Sequence, residues 1–171
     1  MNLFAGPLGG HRNYLTHIAL DNCLDYLRLK KDHLERGDCS NPAKYKAFRY
    51  FLNAVESLNN ILDYYFYENE KTVPEPSLQT FKEAQYSAHP ELKELLDLAN
   101  AYKHCVRERN GQKRTNLPWA SDLQVTVLNI HVNVSELPEV RVAAEYNFEG
   151  PTSEHLEIFE RALNFWLFVS Q

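Results

Sequence analysis

The sequence predicts a mainly α fold: an antiparallel bundle of four to five helices with a β-hairpin before the C-terminal helix. Apolar residues recur every three or four positions up to about residue 107, which is the spacing of one face of an α-helix. Alternating β-branched residues replace that spacing at residues 122–148, and helical spacing returns at residues 152–171. A chain of 171 residues is expected to form a single domain.

The first helix is expected at residues 12–36, after an irregular leader at residues 1–11. Its apolar side is formed by residues at helical spacing, namely Leu15, Ile18, Ala19, Cys23, Tyr26, Leu27 and Leu34. Gly37 suits the left-handed conformation that is common just past the end of a helix. Ser40 and Pro42 are typical of the next helix start, because serine caps exposed N–H groups and proline fits the first turn.

The second helix, at residues 42–68, is expected to pair with the first one and to complete the largest part of a helical core at residues 12–107. It ends in four aromatic residues, Tyr64–Tyr67, which indicate buried core or a contact between subunits. A short helix at residues 77–87 and a helix from Pro90 to Arg107 follow.

Two strands are expected after the helical core. Residues 124–134 and 140–148 alternate, and the polar segment between them favours an antiparallel hairpin. A lone pair of strands is marginal in water, so the hairpin must pack on the helices or on another copy. Thr152 or Ser153 is expected to cap the terminal helix.

Charge and cysteine content narrow the classes of function. The net charge of −5 argues against a protein whose whole surface binds nucleic acid, yet residues 103–114 hold five cations and one carboxylate. Cys23, Cys39 and Cys105 form no close pair, which indicates neither disulfides nor a CxxC site and favours the reducing cytoplasm. The absence of a long apolar run argues against a membrane segment.

One helix edge carries the residue types of a reactive site. Asp97, Asn100, His104 and Arg107 follow one another at helical spacing, and Lys103 lies between this edge and the apolar face. Imidazole can act as a general base, and guanidinium or ammonium groups can stabilise a developing anion. The plainer interpretation is that Asn100 and His104 only position the helix by hydrogen bonds.

A metal site is not expected. His11 and His17 are not spaced as a pair on one helix face, and no Glu-x-x-His pair occurs in the sequence. The sequence also has no glycine loop for phosphates and no signature of a catalytic cysteine or serine. We therefore expect neither a metal nor a cofactor.

The stretch from Asp97 to His104, DLANAYKH, is similar to an Asp-Leu-x-Asn-x-x-Lys-His stretch of uncharacterised bacterial proteins of this size. Two long antiparallel helices, followed by a helix with a polar residue and a downstream histidine, resemble the HEPN superfamily. Members of this superfamily are compact helical domains, and many are RNases whose two copies form one composite site. The resemblance implies a homodimer that binds RNA or a partner protein.

The motif of active HEPN members is an arginine, a polar neighbour and a histidine after four to six residues, but here Ala99 stands where the arginine is expected. We therefore expect a HEPN-like binding domain more than an enzyme. One alternative is a metal-independent RNase that uses His104, Lys103, Asn100 and Arg107. Another is a structural or interaction protein with no ligand site.

Overall fold

The protein is mainly α, with five helices packed together, which confirms the class that the sequence predicts. The computed structural model describes residues 6–104, 108–109, 112–113, 125–133 and 141–169. The helices are α1 at residues 11–36, α2 (Asn41–Asn69), α3 (Leu78–Ala88), α4 (Pro90–Lys103) and α5 (Ser153–Val169). No helix in these segments combines the length and the apolar character that crossing a membrane requires.

Helix α1 contains a π-helical segment. It consists of α-helical His11–Tyr14, π-helical Leu15–Ala19 and α-helical Leu20–Arg36. Hydrogen bonds in a π-helix run between residues five apart, so a π turn holds more residues than an α turn. Four of the buried side chains of this region share a spacing of four residues: His11, Leu15, Ala19 and Cys23. Because the α repeat is about 3.6 residues, the π segment helps to keep these side chains on the buried side.

Helices α1 and α2 run antiparallel. The ring of Tyr14, near the start of α1, stacks on Tyr64, near the end of α2, with ring centroids 4.1 Å apart. Farther along α1, Tyr26 contacts Phe51 edge to face, with centroids 5.4 Å apart. Gly37 ends α1 at φ 64°, in the left-handed conformation that glycine adopts without a steric cost.

Helix α2 is the centre of the bundle and contacts each of the other four helices. Five of its side chains have no exposed surface: Phe51, Ala54, Val55, Leu58 and Ile61. Fully burying one large apolar side chain stabilises a fold by about 1.5–3 kcal/mol. The bundle is therefore assembled on this helix.

The remaining helices begin at residues that favour a helix start. Ser77 and Thr80 form a reciprocal capping box at the start of α3. Pro90 occupies the first turn of α4, where its missing N–H costs nothing. At the start of α5 the Thr152 hydroxyl accepts a hydrogen bond from the N–H of His155 at 3.1 Å. The residue before a proline is disfavoured in the α conformation, so Pro90 explains why α3 and α4 are separate helices although only His89 lies between them.

Four strands have described backbone: β1 (Glu108–Arg109), β2 (Gln112–Lys113), β3 (Val125–Asn133) and β4 (Arg141–Gly150). β3 and β4 are antiparallel, from Asn133 opposite Arg141 to Val125 opposite Gly150. The connecting residues 134–140 lie outside the described residues, so the complete hairpin stays a prediction.

The end of β4 is attached to the first half of α2. The ring of Phe148 lies 5.0 Å from that of Tyr45 and 5.2 Å from that of Phe48. Beside these rings the Lys44 ammonium lies 3.0 Å from both carboxylate oxygens of Glu149. An apolar contact and an ion pair thus join the strand to the bundle.

The expectation that the fourth helix continues to Arg107 is wrong. Helix α4 ends at Lys103, His104 has extended backbone at φ −126° and ψ 125°, and Glu108 already belongs to β1. Histidine, cysteine and valine, which follow Lys103, are weaker helix formers than the alanine, leucine and lysine before them. The helical core therefore stops before Arg107, which itself lies outside the described residues.

The start of α1 is held against the end of α2 by the carboxylate of Glu68. Glu68 accepts hydrogen bonds at 2.7 Å from the backbone N–H and from the ring Nδ1 of His11. Gly10, which precedes α1, has φ 120°, and a Cβ there would lie 2.7 Å from an oxygen of Glu68. Only glycine fits this backbone and this close approach together. Glu68 therefore caps α1 from another helix, because Gly10 has no side chain to do so.

We predict that Glu68→Gln destabilises the protein at neutral pH. Burial alone would raise the pKa of Glu68, but the hydrogen bonds from His11 and the charges of His11 and Arg12 bring it below its usual value. A lowered folded pKa stabilises the fold above the unfolded pKa, and this stabilisation is lost as the pH falls through the folded pKa. The loss should be about 1 kcal/mol, since the carboxylate is partly exposed and water screens it.

Urea unfolding at neutral pH and at about pH 3 measures this effect. The matched control is Glu70→Gln, an exposed residue at the end of the same helix, which should unfold like the wild type. A difference between Glu68→Gln and wild type that is as large at acid pH as at neutral pH would contradict the role of the charge.

Candidate functional site

The polar edge of α4 does not lie on one uniform surface. Asp97 is buried with 7% exposure, Asn100 is half-buried, and Lys103 and His104 are exposed. Only the first three belong to the helix, because His104 has left it, and Arg107 is outside the described residues. The structure therefore separates a buried acidic end of the edge from an exposed basic end.

The buried end belongs to a polar cluster that links three helices, which we call the Tyr86 cluster. Its members are Asp63 from α2, Lys82 and Tyr86 from α3, and Lys93 and Asp97 from α4. The Lys93 ammonium lies 2.8 Å from the Asp97 carboxylate, and the Lys82 ammonium contacts the Asp63 carboxylate. The pair of Asp63 and Lys82 joins α2 to α3, and the pair of Lys93 and Asp97 joins two successive turns of α4. Asp97 therefore has a structural role.

The Tyr86 hydroxyl stays protonated across the physiological range. Burial, followed by the negative charges of Asp63 and Asp97, raises the pKa of Tyr86 to about 12. The hydroxyl oxygen is buried and has no hydrogen-bond partner among the described residues. A phenol held neutral beside two carboxylates can act as a donor, but it is a poor base at neutral pH.

Lys103 is paired with another helix. Its ammonium lies 3.1 Å from a carboxylate oxygen of Glu56, on α2, and both side chains are about one third exposed. Burial raises the pKa of the Tyr14 hydroxyl, and a hydrogen bond from Asn60 partly offsets this effect. The nearby charge of Glu56 also raises the pKa of Tyr14. An anion that approached Lys103 would therefore have to compete with Glu56.

His104 lies at the accessible end of α4. Its backbone N–H donates to the carbonyl of Asn100 at 3.2 Å, which completes the last helical turn. The carbonyl end of a helix carries partial negative charge, so the adjacent Lys103 is favourably placed. The imidazole is exposed, and it can exchange a proton with a molecule bound from solvent.

A small basic ladder follows His104 along the chain. Strand β1 pairs antiparallel with β2, with Glu108 opposite Lys113 and Arg109 opposite Gln112. This ladder was not expected from the sequence. The signal is the Asn-Gly dipeptide at residues 110–111, which is typical of two-residue hairpin turns. Arg109 and Lys113, two cations of the basic segment, therefore belong to extended backbone.

An aromatic cleft lies where α2, α3 and α5 end or begin. It encloses about 350 Å³ and includes Tyr65, Phe81, His89, Phe165 and Trp166 in its lining. Trp166 is 2% exposed. Its indole N–H finds no hydrogen-bond acceptor in the part of the chain that the structure describes. The cleft was not anticipated, because its residues come from four separate stretches of sequence.

Beside this cleft α5 ends in an exposed apolar tip, which consists of Leu167, Phe168 and Val169. Phe168 is 80% exposed, far more than its two neighbours. By contrast, most of the aromatic end of α2 is packed inside the protein. Tyr64 stacks on α1 and Tyr65 on α3. The end of α5 therefore presents to a partner the most exposed large apolar side chain of the described residues, that of Phe168.

Within the described segments no three His, Cys, Asp or Glu side chains come together in a way that could hold a metal ion. His11 is engaged with Glu68, and His89 lies against the ring of Phe165 at 4.6 Å.

No protein-family model, curated protein or solved structure matches this chain.

Proposed function

We propose that this chain is a HEPN-like helical domain that binds RNA as a homodimer in the reducing cytoplasm. One observation carries the proposal: the exposed Lys103 and His104, at the end of α4, are followed in the sequence by an antiparallel ladder that contains Arg109 and Lys113. The resemblance of residues 97–104 to the HEPN-related stretch points to the same end of the helix. The proposal takes β3 and β4 as a hairpin that Phe148 anchors on α2.

The charge distribution favours a contact of limited size. The chain as a whole carries −5, so a polyanion is repelled by most of the surface and attracted at residues 103–114. Neutralising about four phosphates of a single strand gives a slope of roughly −3 for the logarithm of the binding constant against that of salt concentration. A partner protein bound through apolar contacts would show a much weaker salt dependence.

We predict that Arg109→Gln combined with Lys113→Gln weakens binding to a short single-stranded RNA and makes the salt slope shallower by about 1.4, because two phosphate contacts are lost. Fluorescence anisotropy between about 50 and 200 mM salt measures both quantities. The control combines Arg28→Gln with Lys31→Gln, exposed cations on α1. If both double variants weaken binding equally, or the wild type binds no RNA, the RNA proposal fails and an apolar protein partner becomes the better explanation.

The second candidate function is cleavage of the bound RNA, which the exposure of His104 favours. His104 would take the proton from a 2′-hydroxyl, the resulting oxygen would bond to phosphorus, and the bond from phosphorus to the 5′-oxygen would break. The products are a 2′,3′-cyclic phosphate and a 5′-hydroxyl, with the proton passed to the leaving oxygen. Asn100 would orient the substrate, and Lys103 or Arg107 would stabilise the extra negative charge.

We predict that any RNase activity persists in EDTA and is abolished by His104→Ala, because no other group in this mechanism takes the proton. Gel analysis of the labelled RNA and of its cyclic-phosphate ends measures cleavage. Glu56→Gln should increase the rate, since it removes the carboxylate that competes for Lys103. Equal cleavage by wild type and His104→Ala would assign the activity to a contaminant and exclude this mechanism.

The homodimer is proposed to form through the apolar tip of α5. A phenylalanine side chain that is 80% exposed costs free energy in water, and a second copy can cover it reciprocally about a two-fold axis. The adjacent aromatic cleft extends the same apolar surface.

We predict that Phe168→Glu converts the dimer into a folded monomer, because it places a charge in the contact without disturbing the core. Light scattering after size-exclusion chromatography measures the mass, and circular dichroism checks the fold. The control is Tyr67→Glu. Tyr67 is an exposed aromatic residue on α2, outside the proposed contact, so this variant should remain dimeric. A wild-type protein that is monomeric at every concentration tested would rule out the dimer.

A further inference from the structure

A second cavity lies far along α1 from the leader, and the proposed function makes no use of it. It is formed by the last turns of α1, the first turns of α2 and the segment between β4 and α5, and it encloses about 280 Å³. Its walls are mainly apolar and come from Tyr26, Ala47, Phe48 and Leu156. This volume is near the lower end of the range of roughly 300–1,000 Å³ for ligand pockets, so the cavity suits a small ligand.

The charged groups that line the cavity differ in whether they have an ion-pair or hydrogen-bond partner. The Lys44 ammonium is held by Glu149, at 3.0 Å from both of its oxygens. The Asp38 carboxylate accepts a hydrogen bond from the N–H of Ser40 at 3.0 Å. Both acids of the lining are thus engaged.

Lys30 differs from these groups. It is half-buried, it lines the cavity, and its ammonium has no ion-pair partner among the residues described. His33 lies one helical turn further on and also lines the cavity. An unpaired ammonium beside apolar walls attracts an anion more strongly than one in open water, because the effective dielectric constant is lower.

We propose that this cavity binds a small apolar carboxylate, with the hydrocarbon part between Tyr26, Phe48 and Leu156 and the carboxylate at Lys30. His33 provides a second donor for the carboxylate. The combination of an apolar cavity with one uncompensated cation selects this ligand class over neutral hydrocarbons, which gain nothing from Lys30, and over amines, which Lys30 repels. The site is independent of the proposed RNA contact, since it shares no residue with it.

Cys39 supplies a direct reporter of occupancy. It is exposed and lines the cavity, whereas Cys23 is buried and burial raises the pKa of its thiol to about 12. Iodoacetamide reacts with thiolates, so Cys39 should be alkylated and Cys23 spared. Octanoate in the cavity should slow alkylation of Cys39 several-fold, as measured peptide by peptide with mass spectrometry.

Calorimetry with octanoate tests whether the Lys30 ammonium binds the carboxylate of the ligand. Lys30→Met should weaken octanoate binding about tenfold, since it removes a charge-assisted contact. The control is Lys31→Met, an exposed neighbour that pairs with Glu35 at 3.6 Å, and it should bind like the wild type. Ala47→Phe, which fills the cavity, should abolish binding, and circular dichroism verifies that this variant folds.

Three results would overturn the proposal. One is failure of octanoate to protect Cys39 or to release heat. Another is an equal loss in Lys31→Met and Lys30→Met, which would indicate only general attraction to a basic surface. The third is binding of octylamine as tightly as octanoate. Retention of octanoate binding in the Arg109→Gln and Lys113→Gln double variant would separate this site from the RNA proposal.

Discussion

Helix α2 contacts each of the other four helices, and its burial determines where they can pack. Phe51, Leu58 and Ile61 have no exposed surface, and the ring of Phe51 contacts both Tyr26 of α1 and Phe159 of α5. Since so much of α2 is covered, its polar residues must find partners on the helices that cover it. Glu56 meets Lys103 and Asp63 meets Lys82, and these ion pairs fix where α4 and α3 lie. The basic end of α4 is therefore positioned by the central helix.

Most of the helical fold could be predicted because five stretches have strong apolar periodicity and clear end signals. Gly37, Ser77 and Pro90 mark boundaries that the structure places within about two residues of the expected ones, which is the usual uncertainty of helix ends. The prediction was less accurate where local sequence leaves two conformations close in energy. After Lys103 the residues favour neither helix nor strand strongly, and the pairing of β1 with β2 leaves the segment from Glu108 onward extended.

Periodicity also misassigned part of α1. Leu27 and Leu34 continue the apolar pattern, yet they are 39% and 75% exposed. A pattern shows which residues share a face, but it does not show how far the partner helix extends along that face. Near the end of α1 the apolar surface faces solvent and the small cavity beside Lys30, because none of the described helices covers it.

The sequence predicted which residue types the candidate site contains, but it did not predict how their side chains are arranged. Asp97 and His104 share one edge in an ideal helix, but Asp97 is buried beside Lys93 and His104 lies beyond the helix end. The partner of Lys103 is Glu56, on a different helix, and the spacing of residues within one helix cannot predict such a pair. The Trp166 indole N–H and the Lys30 ammonium, which have no partner among the described residues, are similar cases, since the partner of a polar group is often remote in sequence.

The π segment at Leu15–Ala19 has a consequence for how the length of this chain can vary. A π turn is what a regular helix becomes when it accommodates one additional residue while the flanking turns keep their contacts. Loss of one residue from this segment would restore a plain α-helix and leave Cys23 and Tyr26 facing Phe51. The same loss elsewhere in α1 would rotate every following side chain by about 100°. Related sequences are therefore expected to differ by a single-residue gap at this point of the first helix.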